Sequence, residues 1–354
     1  MTESEVYQSC IIGAGPAGVA LVGRMLEINA LPLIWIDPDF NGGKLANYPF
    51  VQSNTLTKFF VKFVEECKFF DDSAADELRK IDGDEFCDLC LVKDMICYLT
   101  RSLKQQKGVN TIKGIVKRID REEEDLKWNV DCEYFQIEAY NVFFATGSTP
   151  KLLKEPKPHI SLETVFNPSE LRKALSSEDT VAVIGSSYST IIALRNLSKM
   201  EDVQVKLFSR SAFKFSEQKS GYIKYENNGL KGNNARWARD ELPKMKNLKT
   251  YTTAKLAEEI ENCTKVIYTV GFERFALPLI GEGDEISYDP FTAEILQDGK
   301  VLSGLFGFGI AFPEKIVDPD NEVEFAVGIW KFLKHAQEHI GLEIIHSVKK
   351  RKLI

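Results

Sequence analysis

The apolar residues of this chain fall into short unbroken runs separated by glycine turns. Tyr7 to Ile12 reads as a buried strand, a Gly-rich turn follows, and an apolar helix extends to about Ile28. Leu31 to Ile36 is then a second strand, apolar throughout rather than alternating, as in a parallel sheet covered on both faces. A further strand in NVFFATG ends at Gly147, and Pro150, Pro156 and Pro158 mark a crossing point. The same order restarts with Thr180 to Ile184 as strand, Thr190 to Leu197 as helix and Val203 to Phe208 as strand. The strand VIYTVG, 266 to 271, ends this second unit, and LSGLFGFGIAFP, 302 to 313, reads as a return to the first. Val323, Phe325, Ala326, Ile329, Phe332 and Leu333 recur with a helical period and predict a closing amphipathic helix within 323 to 342. Two strand–helix–strand units in one chain imply an α/β protein with two nucleotide-binding halves.

Composition changes this picture little. A chain of 354 residues, 44% hydrophobic, is long enough for two domains. Its formal charge of -7 gives no electrostatic footprint for nucleic acid. The basic run Lys349, Lys350, Arg351 and Lys352 reads as a solvated tail. No run of about 18 apolar residues predicts a membrane span, and MTESEVYQS lacks the features of a signal peptide. Seven cysteines without a regular framework fit a reducing compartment, so the expected location is cytoplasmic.

The chemistry concentrates at the glycine turns. Gly13, Gly15 and Gly18 form GAGPAG between the first strand and the first helix, with Pro16 and Ala17 opening that helix. The first glycine allows a tight turn, the second lets backbone approach a pyrophosphate, and the third lets helix and strand pack closely. The helix N-terminus then offers unpaired N–H groups to phosphate. Asp37 lies nineteen residues beyond Gly18, where a carboxylate can accept from ribose hydroxyls.

GAGPAG, Gly42-Gly43-Lys44, FFATGSTP at 143 to 150 and LFGFGIAFP resemble, in that order, the two-dinucleotide-binding flavoproteins. That superfamily spans pyridine nucleotide-disulfide oxidoreductases, flavin-containing monooxygenases and amino-acid N-hydroxylases. The resemblance implies two Rossmann-like domains, a discontinuous FAD domain of residues 1–155 and 276–354 with an NAD(P)H domain, 156–275, inserted into it. It places FAD contacts on Gly13, Gly15, Gly18, Asp37, Gly43, Lys44, Ala145, Thr146 and Gly147, and on Val116 beside adenine. Gly309 is followed by Ile310 where such proteins often carry aspartate, so that ribityl contact falls to backbone N–H or is missing. This departure points away from the disulfide reductases.

The second turn, Gly185-Ser186-Ser187-Tyr188-Ser189-Thr190, keeps only the first glycine. Thr190 in place of the close-packing glycine predicts a helix set slightly farther from its strand. Ser209 and Arg210 stand after the next strand, where a guanidinium suits the 2′-phosphate of NADPH. The expected site is therefore NADP-binding through Gly185, Ser186, Ser187, Ser189, Ser209 and Arg210, and the alternative is a relic that binds nothing.

Cys87 and Cys90 form a CxxC at a predicted helix start, which would serve a thioredoxin-reductase-like enzyme. Asp84, Glu85 and Asp88 surround the pair and raise a thiol pKa, and Leu91, Met95, Tyr98 and Leu99 predict a buried stripe on the following helix. His335 and His339 share a helix face without the acidic helper of a zinc motif, so a solvated or capping role and no metal are expected. The segment 220 to 242 is polar, aromatic and long for a loop. Its Tyr222, Tyr225, Asn227, Lys231 and Trp237 are candidate substrate contacts. The expected activity is that of an NADPH-dependent FAD oxidoreductase whose reduced flavin meets oxygen or a small organic acceptor. The alternatives are a disulfide reductase and a flavin-bound sensor without turnover. The expected partner is a small-molecule substrate, with a homodimer left open and neither nucleic acid nor membrane involved.

Overall fold

The computed structural model describes residues 6–121, 127–153, 157–281 and 286–341. Five strands form the parallel core of the first half, in the spatial order Val109–Lys113, Leu33–Asp37, Val6–Ile12, Gln136–Phe144, Lys300–Gly307. Every residue of Leu33–Asp37 is buried, which is what a strand covered on both faces requires. The nine-residue strand Gln136–Phe144 has Val6–Ile12 along one edge and two partners along the other: its early part pairs antiparallel with Trp128–Cys132, and its end runs parallel to Lys300–Gly307. Residues 300 to 307 thus return the chain to the first sheet.

Helix Pro16–Glu27 is buried along nearly its whole length, from Ala17 to Leu26. Such a helix needs cover on all sides, and helices Thr57–Glu65, Leu89–Leu103 and Ile329–His339 share its apolar cluster with Trp35 and Phe143.

The second half is a four-stranded parallel sheet ordered Leu248–Thr252, Gln204–Ser209, Thr180–Ile184, Lys265–Tyr268. The chain leaves and re-enters the first half through paired strands Ser148–Pro150 and Phe272–Arg274. The two halves are also joined by apolar packing, because Val51 of the first sits in one cluster with Ile160, Val165 and Phe166 of the second.

Two elements depart from the sequence pattern. Val323–Phe325 is a strand paired with Lys315–Val317, and the closing helix starts only at Ile329, after Gly328. The reason is tertiary: Glu324, 5% exposed, accepts the N–H groups of Asn227 and Asn228 at 3.2 and 3.3 Å, which holds this stretch extended. On helix Leu89–Leu103 the buried stripe is Val92, Met95, Ile96, Leu99 and Leu103. Tyr98 instead faces outward and donates to Asp71. The tail 349 to 352 lies outside the described residues.

Candidate functional site

The two glycine turns are built on one backbone scheme. Gly13 N–H donates to Ile36 O at 2.8 Å and Ala145 N–H to Ile12 O at 2.8 Å; Gly185 N–H donates to Phe208 O at 2.9 Å and Thr269 N–H to Ile184 O at 2.8 Å. Each turn is therefore pinned between the ends of the strands on either side of its own. Both first glycines have positive φ, +110° and +141°, a region that excludes ordinary side chains. A methyl group added at Gly13 would lie 2.3 Å from Ala145 O, and one at Gly185 would lie 2.3 Å from Thr269 O.

In the first turn Gly18 is also fully constrained, since an added methyl group would lie 1.9 Å from Gly13 O. Trp35 Nε1 donates to that same carbonyl at 2.9 Å. Gly15 differs: the nearest atom to a methyl group there is Gly43 Cα at 3.9 Å, so the helix N-terminus faces open space flanked by Gly43. No side chain caps this end, Pro16 opens the helix, and its first turn holds no acid. The positive end of the helix dipole is thus left for an external anion.

The Asp37 carboxylate is already engaged. It accepts N–H groups from Ala14, Asp39 and Phe40 at 2.7, 2.8 and 2.6 Å, which braces the glycine turn and leaves about one of its acceptor positions free. Gly114 N–H reaches Asp37 O at 3.3 Å, which brings the start of the Val116 strand beside this corner. Gly309, at φ +82°, sits against the same helix, and an added methyl group would lie 2.5 Å from Ala17 Cβ. Ile310 is exposed there and offers no carboxylate. At the strand end Ala145-Thr146-Gly147, the Thr146 hydroxyl oxygen is enclosed without a hydrogen-bond partner among the described residues. Exposed Lys44 points its ammonium at the Phe275 ring, 5.7 Å away. An open helix end, a cradle between two glycines and an orphaned hydroxyl fit a bound dinucleotide.

The second turn carries side chains where the first has none, and the structure shows how they are housed. Thr190 is fully buried, and its hydroxyl meets Thr269 Oγ1 at 2.8 Å and accepts Ser187 N–H at 3.0 Å. The Ser187 hydroxyl turns inward to donate to Thr269 O at 3.3 Å. One N-terminal donor is thereby used internally, and the N–H groups of Tyr188 and Ser189 are left at the open end. Ser209 closes its strand half-buried, and exposed Arg210 makes no ion pair among the described residues.

Tyr188 ties this helix end to the first half. Its hydroxyl donates to Gln52 O at 2.9 Å and accepts from Asn234 Nδ2 at 2.8 Å. Burial pushes the Tyr188 hydroxyl up to about 12, so it stays protonated and able to donate. Tyr188 was hidden in the sequence because a tyrosine at a helix start carries no motif.

Next to this tie lies a cavity of about 420 Å³ with one wall from each half, lined among others by Leu56, Phe59 and Phe86 on one side and Asn227, Lys231 and Arg236 on the other. Val327, Gly328, Trp330 and Lys331 close its third side. Of the loop candidates, Asn227 and Lys231 reach it. Tyr222, Tyr225 and Trp237 do not line it: Tyr222 hydrogen-bonds Asp320, Tyr225 lies under Lys214 and Lys224, and Trp237 packs on the second core. Burial lowers the Lys231 ammonium, partly offset by Glu226, whose carbonyl it meets at 2.6 Å.

Cys87, the first of the CxxC pair, is poorly placed for redox work. Cys87 is 2% exposed within the main apolar cluster, and burial raises its pKa above the ordinary thiol range. A thiol held protonated is a weak nucleophile. His335 departs from the solvated role expected of it: it is buried against Phe308, its Nε2 lacks a partner among the described residues, and burial, then His339, pushes it down to about 4. Exposed His339 shares a cluster with Glu314 and Glu338, with ligand atoms within 4.8 Å of one another. His346 lies outside the described residues. Among the described residues no helix is long and apolar enough to cross a membrane.

Two glycine turns at the carboxyl ends of parallel strands in two sheets, one sheet interrupted by the other, define an oxidoreductase of the two-dinucleotide-binding flavoprotein class. Residues 7–282 match the sequence profile described as pyridine nucleotide-disulphide oxidoreductase, and the chain belongs to that family. Monooxygenase AgnR1 of Paecilomyces divaricatus is 34% identical over 386 residues, covering 94% of this chain and 97% of its own. Among solved structures, an ornithine N-hydroxylase of Kutzneria sp. 744 aligns over 98% of this chain and 100% of its own at 14% identity, with a TM-score of 0.65. Thioredoxin reductase of Lactococcus lactis aligns over 96% and 99% at 13% identity, with a TM-score of 0.55. These two likenesses are of fold.

Proposed function

We propose that the protein is an NADPH-dependent FAD monooxygenase acting on a small organic substrate. The observation that carries this reading is the pair of equivalent glycine turns, both with open helix ends, in a chain whose Cys87, the first cysteine of the CxxC, is buried and held protonated. The 34% identity to a monooxygenase supports the oxygenase branch over disulfide reduction.

In this reading Gly15, Gly43 and the N–H groups of Ala17 and Gly18 hold the FAD pyrophosphate, while Asp37 keeps its last acceptor position for a ribose hydroxyl. The backbone near Val116 borders adenine, Ala145, Thr146 and Gly147 flank the ring system, and backbone N–H at Gly309 and Ile310 meets the ribityl chain. Lys44 adds positive charge beside that site. Gly185, Ser186, Ser187 and Ser189 receive the NADPH pyrophosphate on a shorter set of donors, and Ser209 and Arg210 hold its 2′-phosphate. Bound FAD would supply hydride acceptance from NADPH and electron transfer to oxygen. The protein contributes orientation of the two rings, exclusion of water and a substrate cavity between the halves.

The test is oxygen uptake coupled to NADPH oxidation in wild type and in the double variant Cys87→Ser, Cys90→Ser. Equal oxygen-dependent turnover in both supports a monooxygenase. Turnover that needs a disulfide substrate and vanishes in the double variant overturns it.

A further inference from the structure

The cavity between the halves has a charge unlike that of the chain. The whole protein is at -7, yet the lining holds four cationic side chains, Lys231, Arg236, Arg239 and Lys331, against one carboxylate, Glu226. That carboxylate is already spent, since Glu226 Oε2 accepts Lys331 Nζ at 2.7 Å. Arg236 and Arg239 are exposed at the cavity and make no ion pair among the described residues, Arg239 lying only over the Phe215 ring at 4.3 Å. Three residues apart on helix Gly232–Asp240, they project from neighbouring positions on one side of it.

The rest of the lining mixes apolar and aromatic side chains, Leu56, Phe59, Phe86, Leu230 and Trp330, with the uncharged polar groups of Asn54, Thr55, Ser216 and Asn227. A volume of about 420 Å³ suits a small organic ligand rather than a polymer. An amine entering this space would meet no free carboxylate and would be repelled by unpaired guanidinium groups. An organic acid would find charge-assisted hydrogen bonds at its head and aromatic walls along its body.

We infer that this cavity takes an organic anion with a flat apolar body, an aromatic carboxylate in chemical class, and that Lys231, Arg236 and Arg239 select it against amines. The inference rests on the monooxygenase reading for its claim that the bound anion is the substrate, but the preference for an anion is a property of the cavity itself.

The test is calorimetric titration of the FAD-loaded protein with 2-naphthoate and with protonated 2-naphthylmethylamine, two probes with the same ring system and opposite charge. The wild type should bind the naphthoate roughly tenfold or more tightly than the amine. The double variant Arg236→Gln, Arg239→Gln should lose most of that preference, and because both side chains are exposed its folding should be retained. Equal or tighter binding of the amine overturns the inference, as does binding of neither probe. A preference that the double variant keeps unchanged also overturns it, because the anion would then be held elsewhere. Flavin bleaching by NADPH is read in the same samples. Bleaching without an anion preference sinks this inference and leaves the monooxygenase reading standing, whereas an anion preference without bleaching does the reverse.

Discussion

Gly15 and Gly18 lie three residues apart and carry opposite constraints. At Gly18 a methyl group would overlap the Gly13 carbonyl oxygen at 1.9 Å, whereas at Gly15 its nearest neighbour would be 3.9 Å away. The first restriction belongs to the fold; in the proposed function the open space at the second belongs to a ligand. Gly18→Ala should therefore lower stability by about 1–3 kcal/mol in chemical denaturation. Gly15→Ala should cost about 1 kcal/mol or less at the helix cap but release FAD on gel filtration. If Gly15→Ala keeps its flavin as tightly as wild type, the pyrophosphate does not lie over that residue. His335 supplies a second residue-scale expectation. Its folded pKa, about 4, lies below the ordinary value of 6.5, so the folded state resists a proton that the unfolded chain accepts. Stability should fall as pH drops from about 6.5 toward 4, by about 2 kcal/mol at pH 5 relative to pH 8. Replacing it with leucine should flatten that slope, as read by urea denaturation at the two pH values.

At the scale of elements, the strands and the first glycine turn were legible because they depend on local signals: continuous apolar runs, the spacing of Gly13, Gly15 and Gly18, and an acid at the strand end. The second turn was harder, since Ser187 and Thr190 read as damage when compared with glycine. In the structure Thr190 replaces glycine packing with a hydroxyl that takes the Ser187 N–H three residues back, a local capping bond, and bridges to Thr269, a long-range contact that no local pattern announces. The stretch 323 to 328 failed for a similar reason, because a buried Glu324 bound to Asn227 and Asn228 overrides its helical period. The element also makes its own predictions. Tyr188→Phe removes the bond to Gln52 O and strands the Asn234 amide, which should destabilise the protein by about 1–2 kcal/mol. Arg210→Gln should raise KM for NADPH roughly tenfold and leave KM for NADH unchanged; equal shifts for both nucleotides would remove the guanidinium from the 2′-phosphate.

For the whole molecule, the α/β architecture with two nucleotide-binding halves followed from repetition of one strand–helix–strand order. The cavity did not, because its walls come from residues near 56, 86, 231 and 330, which only the packed fold brings together. Tyr222, Tyr225 and Trp237 attracted notice as aromatic residues in a long loop, but aromatic rings there are anchored to the loop's own neighbours. Arg236 and Arg239, in the same segment, belong to no motif that would single them out in the sequence.

In the proposed function both glycine turns bind their nucleotides and the second delivers electrons to the first. Anaerobic titration of the FAD-loaded protein with NADPH and then NADH, followed at the flavin absorbance band, tests it directly. NADPH should bleach the flavin at concentrations well below those needed for NADH, with the preference lost in Arg210→Gln. A flavin that stays yellow with both nucleotides would contradict it and make the GSSYST turn a relic.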